Sequence, residues 1–183
     1  MARIILLFLL AIGMQFSGFA QSKYYTKTGT ISFTAGTALE DIDAVNKSVT
    51  SIFDLSTGQV EFAVLIKGFE FKRGLMQEHF NENYMESEKF PKSIFKGKFD
   101  DVSKINFQKD GSYPTTVTGI LEIHNVKKEV KVSGTITVEK GIISSTATFK
   151  VLLEDYGIKI PGAVKGKISP TADVKVNCIY KIL

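Results

Sequence analysis

The segment FEFKRGLMQEHFNENYMESEKFPKSIFKG, residues 69–97, is where the hydrophobic period of this sequence changes. Positions four apart are neighbours on a helix, and two such rows run side by side through the segment. The rows are Leu75, His79, Asn83 and Met76, Phe80, Tyr84. They predict one short amphipathic helix of about three turns. We expect this helix to cover an opening, such as the mouth of a β-barrel.

Most of the remaining chain alternates apolar and polar residues with period two, which is typical of half-buried strands. The alternating runs are residues 24–34, 49–55, 60–66, 93–100, 115–124, 129–139, 143–153 and 172–183. Residues 37–47 are less regular and are predicted to form a loop with a short strand. About eight antiparallel strands can close a barrel around one slender ligand. The alternation alone also permits a β-sandwich.

Two details refine the strand prediction. Three glycines lie in the middle of predicted strands, where they permit the sharp coiling of a barrel; they are Gly97, Gly119 and Gly134. The run at residues 60–66 has Ala63 and Leu65 on its second face, which predicts a strand covered on both sides.

Residues 1–20 have the features of a secretory signal peptide. Arg3 is followed by an uninterrupted apolar run, Ile4–Ile12, and by the small-x-small sequence of residues 18–20. The apolar run is well short of the roughly 20 residues that a membrane-spanning helix needs. We therefore expect cleavage near Ala20, one mature domain of residues 21–183, a periplasmic or secreted location, and no stable transmembrane anchor.

Composition excludes several classes of function. The formal net charge is +4, with lysines and glutamates interspersed, whereas nucleic-acid-binding proteins have a clustered basic face. The single cysteine, Cys178, cannot form an internal disulfide, and its position on an apolar strand face predicts a small buried hydrophobe. An exported chain of this kind depends on its core for stability.

The sequence offers little that could perform catalysis. It has two histidines, His79 and His124, and no Gly-x-Ser-x-Gly motif. These histidines and Cys178 lack the spacing of metal ligands, and no phosphate-binding glycine loop is present. We predict no enzymatic activity, no metal site and no cofactor other than a bound apolar chain.

The remaining feature of the sequence is its large number of apolar aromatic side chains. The chain has 14 phenylalanines and no tryptophan, and such rings either fill a solid core or line a cavity. Patterning alone favours the solid core. The apolar neighbours of His79 favour a packed histidine over the alternative, a polar contact for a ligand.

Two segments resemble the YceI-like family. In residues 79–97, His79-Phe80 is followed by Tyr84-Met85, by Lys-Phe-Pro and by Ile-Phe-Lys-Gly. This resembles the family's helix with His-Leu or His-Phe, followed by an aromatic residue, K-Y-P and I-x-F. Residues 117–130, VTGILEIHNVKKEV, resemble V-x-G-x-L-x-I-H-G-V-x-K-x-V. Weaker similarity covers most of residues 24–183.

The resemblance implies an all-β fold, an extended antiparallel β-barrel that is lipocalin-like in outline, with one short amphipathic helix. It also implies an interior tunnel that binds a long isoprenoid or another amphiphilic chain, which favours a cavity over a solid core. The predicted cavity wall is Phe62, Val64, Ile66, Met76, Phe80, Phe95, Phe99, Leu121 and Phe149, with His79 as a possible polar end.

The leading hypothesis is therefore an exported carrier of a hydrophobic small molecule. The alternatives are a ligand-free structural or stress-protective β-protein of the envelope and, third, an enzyme acting on lipid.

The sequence also departs from the family pattern. The opening D-x-x-H-S-x-V-x-F is reduced to residues 29–33, GTISF. Leu153 replaces the arginine of R-S-D-F-G, and Asn125 replaces the glycine of I-H-G-V. Asparagine tolerates a left-handed backbone, so we expect the turn at Asn125 to be preserved. A head-group contact from the family arginine would be absent, so the polar end of the ligand is expected to differ.

Overall fold

The computed structural model describes residues 23–183, so the predicted signal peptide lies outside the described residues. The strands are β1 (Lys23–Gly36), β2 (Asp43–Asp54), β3 (Gln59–Leu65), β4 (Glu70–Phe71), β5 (Lys92–Phe99), β6 (Gly111–Ile123), β7 (Val126–Glu139), β8 (Ile142–Leu152) and β9 (Ile168–Ile182). The helix α1 (Gly74–His79) continues into a π-helical turn, Phe80–Tyr84. Short 3-10 turns occupy Ile66–Gly68, Val102–Lys104, Leu153–Tyr156 and Gly162–Val164. In residues 23–183 no helix is long and apolar enough to cross a bilayer.

Eight strands form a closed antiparallel barrel. Each strand pairs with its neighbours in the order β1-β9-β8-β7-β6-β5-β3-β2, and β1 also pairs with β2, which closes the ring. The two-residue strand β4 pairs with the first residues of β2, on the edge that β3 occupies further along. Closure leaves no long free edge. The predicted lipocalin-like barrel is confirmed and the β-sandwich alternative is wrong.

The two ends of the barrel differ. At one end, which we call the closed end, a core cluster contains Phe53, Phe99 and Tyr180, and the loop after β5 packs on it through Ile105 and Phe107. At the other end, which we call the mouth, two smaller clusters include residues of the helical segment and of the loop at residues 153–167. The loop at residues 37–42 joins this end through the ion pair of Glu40 with Arg73. The more extensive of the core clusters therefore lies at the closed end.

The predicted helix is present, and one of its two rows is partly buried against the barrel. Met76, Phe80 and Tyr84 are partly buried, whereas Leu75 and His79 on the other row are exposed. The Phe80 ring lies in contact with three rings of the barrel wall and β4. Its ring centroid is 5.6 Å from those of Phe33 and Phe69 and 5.0 Å from that of Phe71. This aromatic cluster holds the helical segment against the barrel.

Two strand predictions were wrong in detail. Strand β2 begins at Asp43, before the alternating run at residues 49–55 and inside the segment predicted as a loop with a short strand, because Ala44 and Asn46 are buried at alternate positions. Asn46 is satisfied there, since its Nδ2 donates to the Leu65 carbonyl oxygen at 2.8 Å. Strand β3 is covered on one side only, because Ala63 and Leu65 are exposed to solvent.

Two of the predicted mid-strand glycines lie directly opposite each other on β5 and β6. Gly97 pairs with Gly119, and a Cβ on Gly119 would lie 2.3 Å from the Gly97 Cα and 2.4 Å from the Lys96 carbonyl oxygen. Neither backbone atom can rotate out of the way. The two strands therefore approach each other more closely here than side chains would permit.

We expect Gly119→Ala to lower the free energy of unfolding by about 2 kcal/mol, because the added methyl group must push two paired strands apart. Urea denaturation followed by circular dichroism measures this change. Gly74→Ala is the matched control, since a Cβ at Gly74 has nothing within 4 Å. Equal stability of the Gly119→Ala variant and the native protein would contradict the close approach.

Candidate functional site

The barrel encloses a cavity of about 560 Å³ between the closed end and the helical segment. Ligand cavities in proteins span roughly 300–1,000 Å³, so this volume suits one small or slender molecule. The cavity reaches the surface at the mouth, where Leu75 belongs to its lining and is 62% exposed. A cavity is therefore present where patterning alone favoured a solid core.

All of the predicted wall residues line this cavity. They are Phe62, Val64, Ile66, Met76, Phe80, Phe95, Phe99, Leu121 and Phe149. Strand pairing brings three of them together, because Phe62 lies opposite Phe95 and Phe95 lies opposite Leu121. The result is an apolar row across β3, β5 and β6. That these residues contact a ligand stays a prediction.

Toward the closed end the lining includes a small hydroxyl group cluster. The Tyr180 hydroxyl lies 3.1 Å from Ser51 Oγ and 3.2 Å from Ser145 Oγ, so it is satisfied within the protein. Cys178 is also buried near this end, and burial raises the pKa of its thiol to about 11. The thiol stays protonated and is a poor nucleophile at neutral pH.

At the mouth, one carboxylate joins three elements. Glu40, in the loop between β1 and β2, accepts a hydrogen bond from Arg73 Nη2 at the start of α1. Its second oxygen lies 3.3 Å from Lys167 Nζ in the loop before β9. The Thr37 hydroxyl donates to the Gly166 carbonyl oxygen at 2.8 Å and ties the same two loops. The hydrogen bond from Arg73 is the main cause of a lowered pKa for Glu40, and the hydrogen bond from Lys167 is the second cause.

His79, the predicted polar end, lines the cavity at the mouth and is exposed rather than packed. The structure therefore favours a solvent-facing position over a packed histidine. Whether His79 contacts a ligand remains a prediction.

Outside the cavity, some residues of the two segments that carry the family resemblance pack against each other. His124, in the turn between β6 and β7, places Nε2 2.8 Å from Glu86 Oε2 and Nδ1 3.3 Å from the Tyr156 carbonyl oxygen. The Phe90 ring packs edge-on against the His124 ring, with centroids 4.6 Å apart. The hydrogen bond from His124 is the main cause of a lowered pKa for Glu86. These contacts fasten the segment after the helix to the barrel.

Asn125 takes the left-handed backbone expected for the family glycine, with φ 62°. His124 beside it has φ 50°, so the turn between β6 and β7 is left-handed at both positions. The side chain at the family arginine position, Leu153, lies on the cavity lining. That position is apolar in this protein and cannot bind a charged head group.

The potential metal ligands do not come together. His79 lies at the mouth, His124 lies in the β6–β7 turn, and Cys178 is buried near the closed end. Within residues 23–183 no three histidine, cysteine, aspartate or glutamate side chains are close enough to hold a metal ion.

A model of the YceI-like domain family matches residues 17–179. This chain belongs to the YceI-like domain family. The match spans β1 to β8 and most of β9, including both segments that suggested the resemblance. Among curated proteins, no sequence matches the chain.

Solved structures share the fold of this YceI-like chain. A polyisoprenoid binding domain from Saccharophagus degradans, implicated in plant cell wall breakdown, superposes with a TM-score of 0.76 at 10% identity, covering 88% of this chain and 99% of that one. Burkholderia cenocepacia BcnA gives 0.68 at 11% identity, covering 84% and 96%. The Campylobacter jejuni YceI protein gives 0.55 at 16% identity, covering 74% and 83%. At such low identities the likeness shows the fold alone.

Several lining residues were not among the predicted wall. On the strands they include Val117, Val130, Val132, Ala147, Val174 and Val176, all at inward positions of the alternating pattern. Period two was sufficient to find them. The charged group at the mouth, Glu40, Arg73 and Lys167, comes from three loops, and no periodic signal in the sequence could have brought it together.

Proposed function

We propose that this protein is an exported, non-enzymatic binding protein that holds a long isoprenoid chain or another amphiphilic lipid in its barrel. The observation that carries the proposal is an apolar cavity of about 560 Å³ that opens at one end of a closed barrel. The fold likeness to a polyisoprenoid binding domain supports the same class of ligand. The apolar run of residues 4–12 supports export.

The energetics suit a carrier. Burial of a hydrocarbon chain contributes about 0.8 kcal/mol per methylene, so ten buried carbons supply roughly 8 kcal/mol before the costs of association. Aromatic and aliphatic walls such as those of Phe62, Phe95 and Leu121 provide this burial without a reactive group. Burial of the hydrocarbon chain in this cavity is therefore sufficient for tight binding.

Mass spectrometry of an organic extract tests the proposal, with protein purified from its native compartment. We expect a copurifying prenyl or fatty chain in stoichiometric amount. The delipidated protein should then take up a prenyl alcohol such as geranylgeraniol. A ligand-free structural protein of the envelope would show neither result, and both failures together would refute the carrier.

A further inference from the structure

The lining of the cavity is divided by charge. Within residues 23–183, the acidic, lysine and arginine side chains on the lining are Glu40, Arg73 and Lys167, and all three lie at the mouth. The rest of the lining is mostly apolar, with hydroxyl groups from residues such as Ser145 and Tyr180. A chain lying in the barrel therefore has a single place where a charged end can meet charged side chains.

The charges at the mouth do not balance. Two cations converge on one carboxylate, so the group has a net charge of about +1 when all three are ionised. Glu40 is held inside the rim, with its side chain 20% exposed, whereas the Arg73 and Lys167 side chains are 59% and 54% exposed. Both cations thus keep donors available to an incoming anion.

We propose that Arg73 and Lys167 bind the anionic oxygen atoms of the ligand's head group, a phosphate or a carboxylate, at the mouth of the cavity. This inference rests on the proposed function and adds a preference for anionic amphiphiles over neutral ones with the same chain. In the ligand-free protein the Glu40 carboxylate forms ion pairs with both the Arg73 guanidinium and the Lys167 ammonium. The incoming head group competes with it for the arginine fork and the lysine ammonium.

This arrangement is compatible with the apolar side chain at Leu153. The family arginine position lies on the lining but is apolar here, so a head-group contact cannot come from it. Arg73 begins α1 and Lys167 precedes β9, and Glu40 brings the two together across the opening. The cations at the mouth of this chain are those of Arg73 and Lys167.

The test compares two ligands with the same tail, geranylgeranyl phosphate and geranylgeraniol, on the delipidated protein. We expect the native protein to bind the phosphate more tightly by roughly tenfold, which two partly exposed charge-assisted contacts can supply. The double variant Arg73→Gln with Lys167→Gln should lose this preference and keep its affinity for the alcohol. Glu40→Gln removes the competing carboxylate and should raise the preference several-fold. Hexadecanoate compared with hexadecanol separates carboxylate recognition from phosphate recognition.

The matched control is Lys72→Gln with Lys165→Gln, which removes the same charge from nearby positions off the cavity lining. The control should keep the phosphate preference. An equal loss in the control, or no preference in the native protein, overturns the head-group site while leaving the carrier intact. Failure of the native protein to bind any of the four ligands refutes the proposed function itself.

Discussion

Phe95→Asp is expected to reduce uptake of a prenyl alcohol by about 100-fold or more. Phe95 lies on the cavity lining between Phe62 and Leu121, and its ring centroid is 6.4 Å from that of Phe62. A carboxylate at this point retains water in the cavity or must become protonated, and either change costs about 3 kcal/mol when a hydrocarbon chain enters. Equilibrium titration with geranylgeraniol measures the loss.

Two controls separate a wall effect from a general one. Ile120→Asp places the same charge on the outer face of the adjacent strand, where Ile120 is 41% exposed. His124→Ala removes a contact that fastens the segment after the helix but lies off the cavity lining. Both variants should bind within a few-fold of the native protein. Equal effects of Phe95→Asp and His124→Ala would mean that the inward and outward faces are assigned wrongly.

Phe95 also packs against the core clusters at both ends, so Phe95→Asp can fail to fold. Phe149→Asp, on β8, repeats the test at another wall position. Circular dichroism and urea denaturation identify which variants are folded before binding is compared.

The barrel was predictable because period two is imposed on every strand that has one face inward. That rule located the strand residues of the predicted wall, such as Phe62, Leu121 and Phe149. Met76 and Phe80 came instead from the helical rows, and the expectation of a cavity came from the family resemblance. It was less reliable where the second face is also apolar, as at Leu65, since composition does not show which apolar residues remain exposed.

The mouth could not be predicted in the same way. Glu40, Arg73 and Lys167 are separated widely in sequence and meet through loops, which carry no hydrophobic period. The helical rows that contain Met76 and Leu75 predicted a helix over an opening. The side chains that this helix faces come from several strands and loops of the closed barrel, so the sequence did not identify them. Fold therefore followed from local pattern, while the polar part of the site required tertiary structure.

Ala147→Trp is expected to lower uptake of geranylgeraniol by about 100-fold while leaving the free energy of unfolding unchanged or increased. Ala147 lies on the lining opposite Gly134, where two small residues leave room for a ligand. An indole there occupies the space of about four methylenes, which is worth roughly 3 kcal/mol of lost burial. The same ring fills a cavity in the free protein, and cavity filling commonly adds about 0.5–2 kcal/mol of stability.

The two readouts together distinguish the carrier from a solid-cored structural protein. In a filled core, the indole at position 147 would overpack its surroundings and cost about 1–3 kcal/mol. Ala63→Trp is the matched control, because Ala63 is exposed on the outer face of β3 and should affect neither measurement strongly. Loss of binding with retained stability is the result that a vacant, ligand-sized barrel requires. Strong destabilisation by Ala147→Trp, with Ala63→Trp unaffected, would instead indicate that the interior is already full.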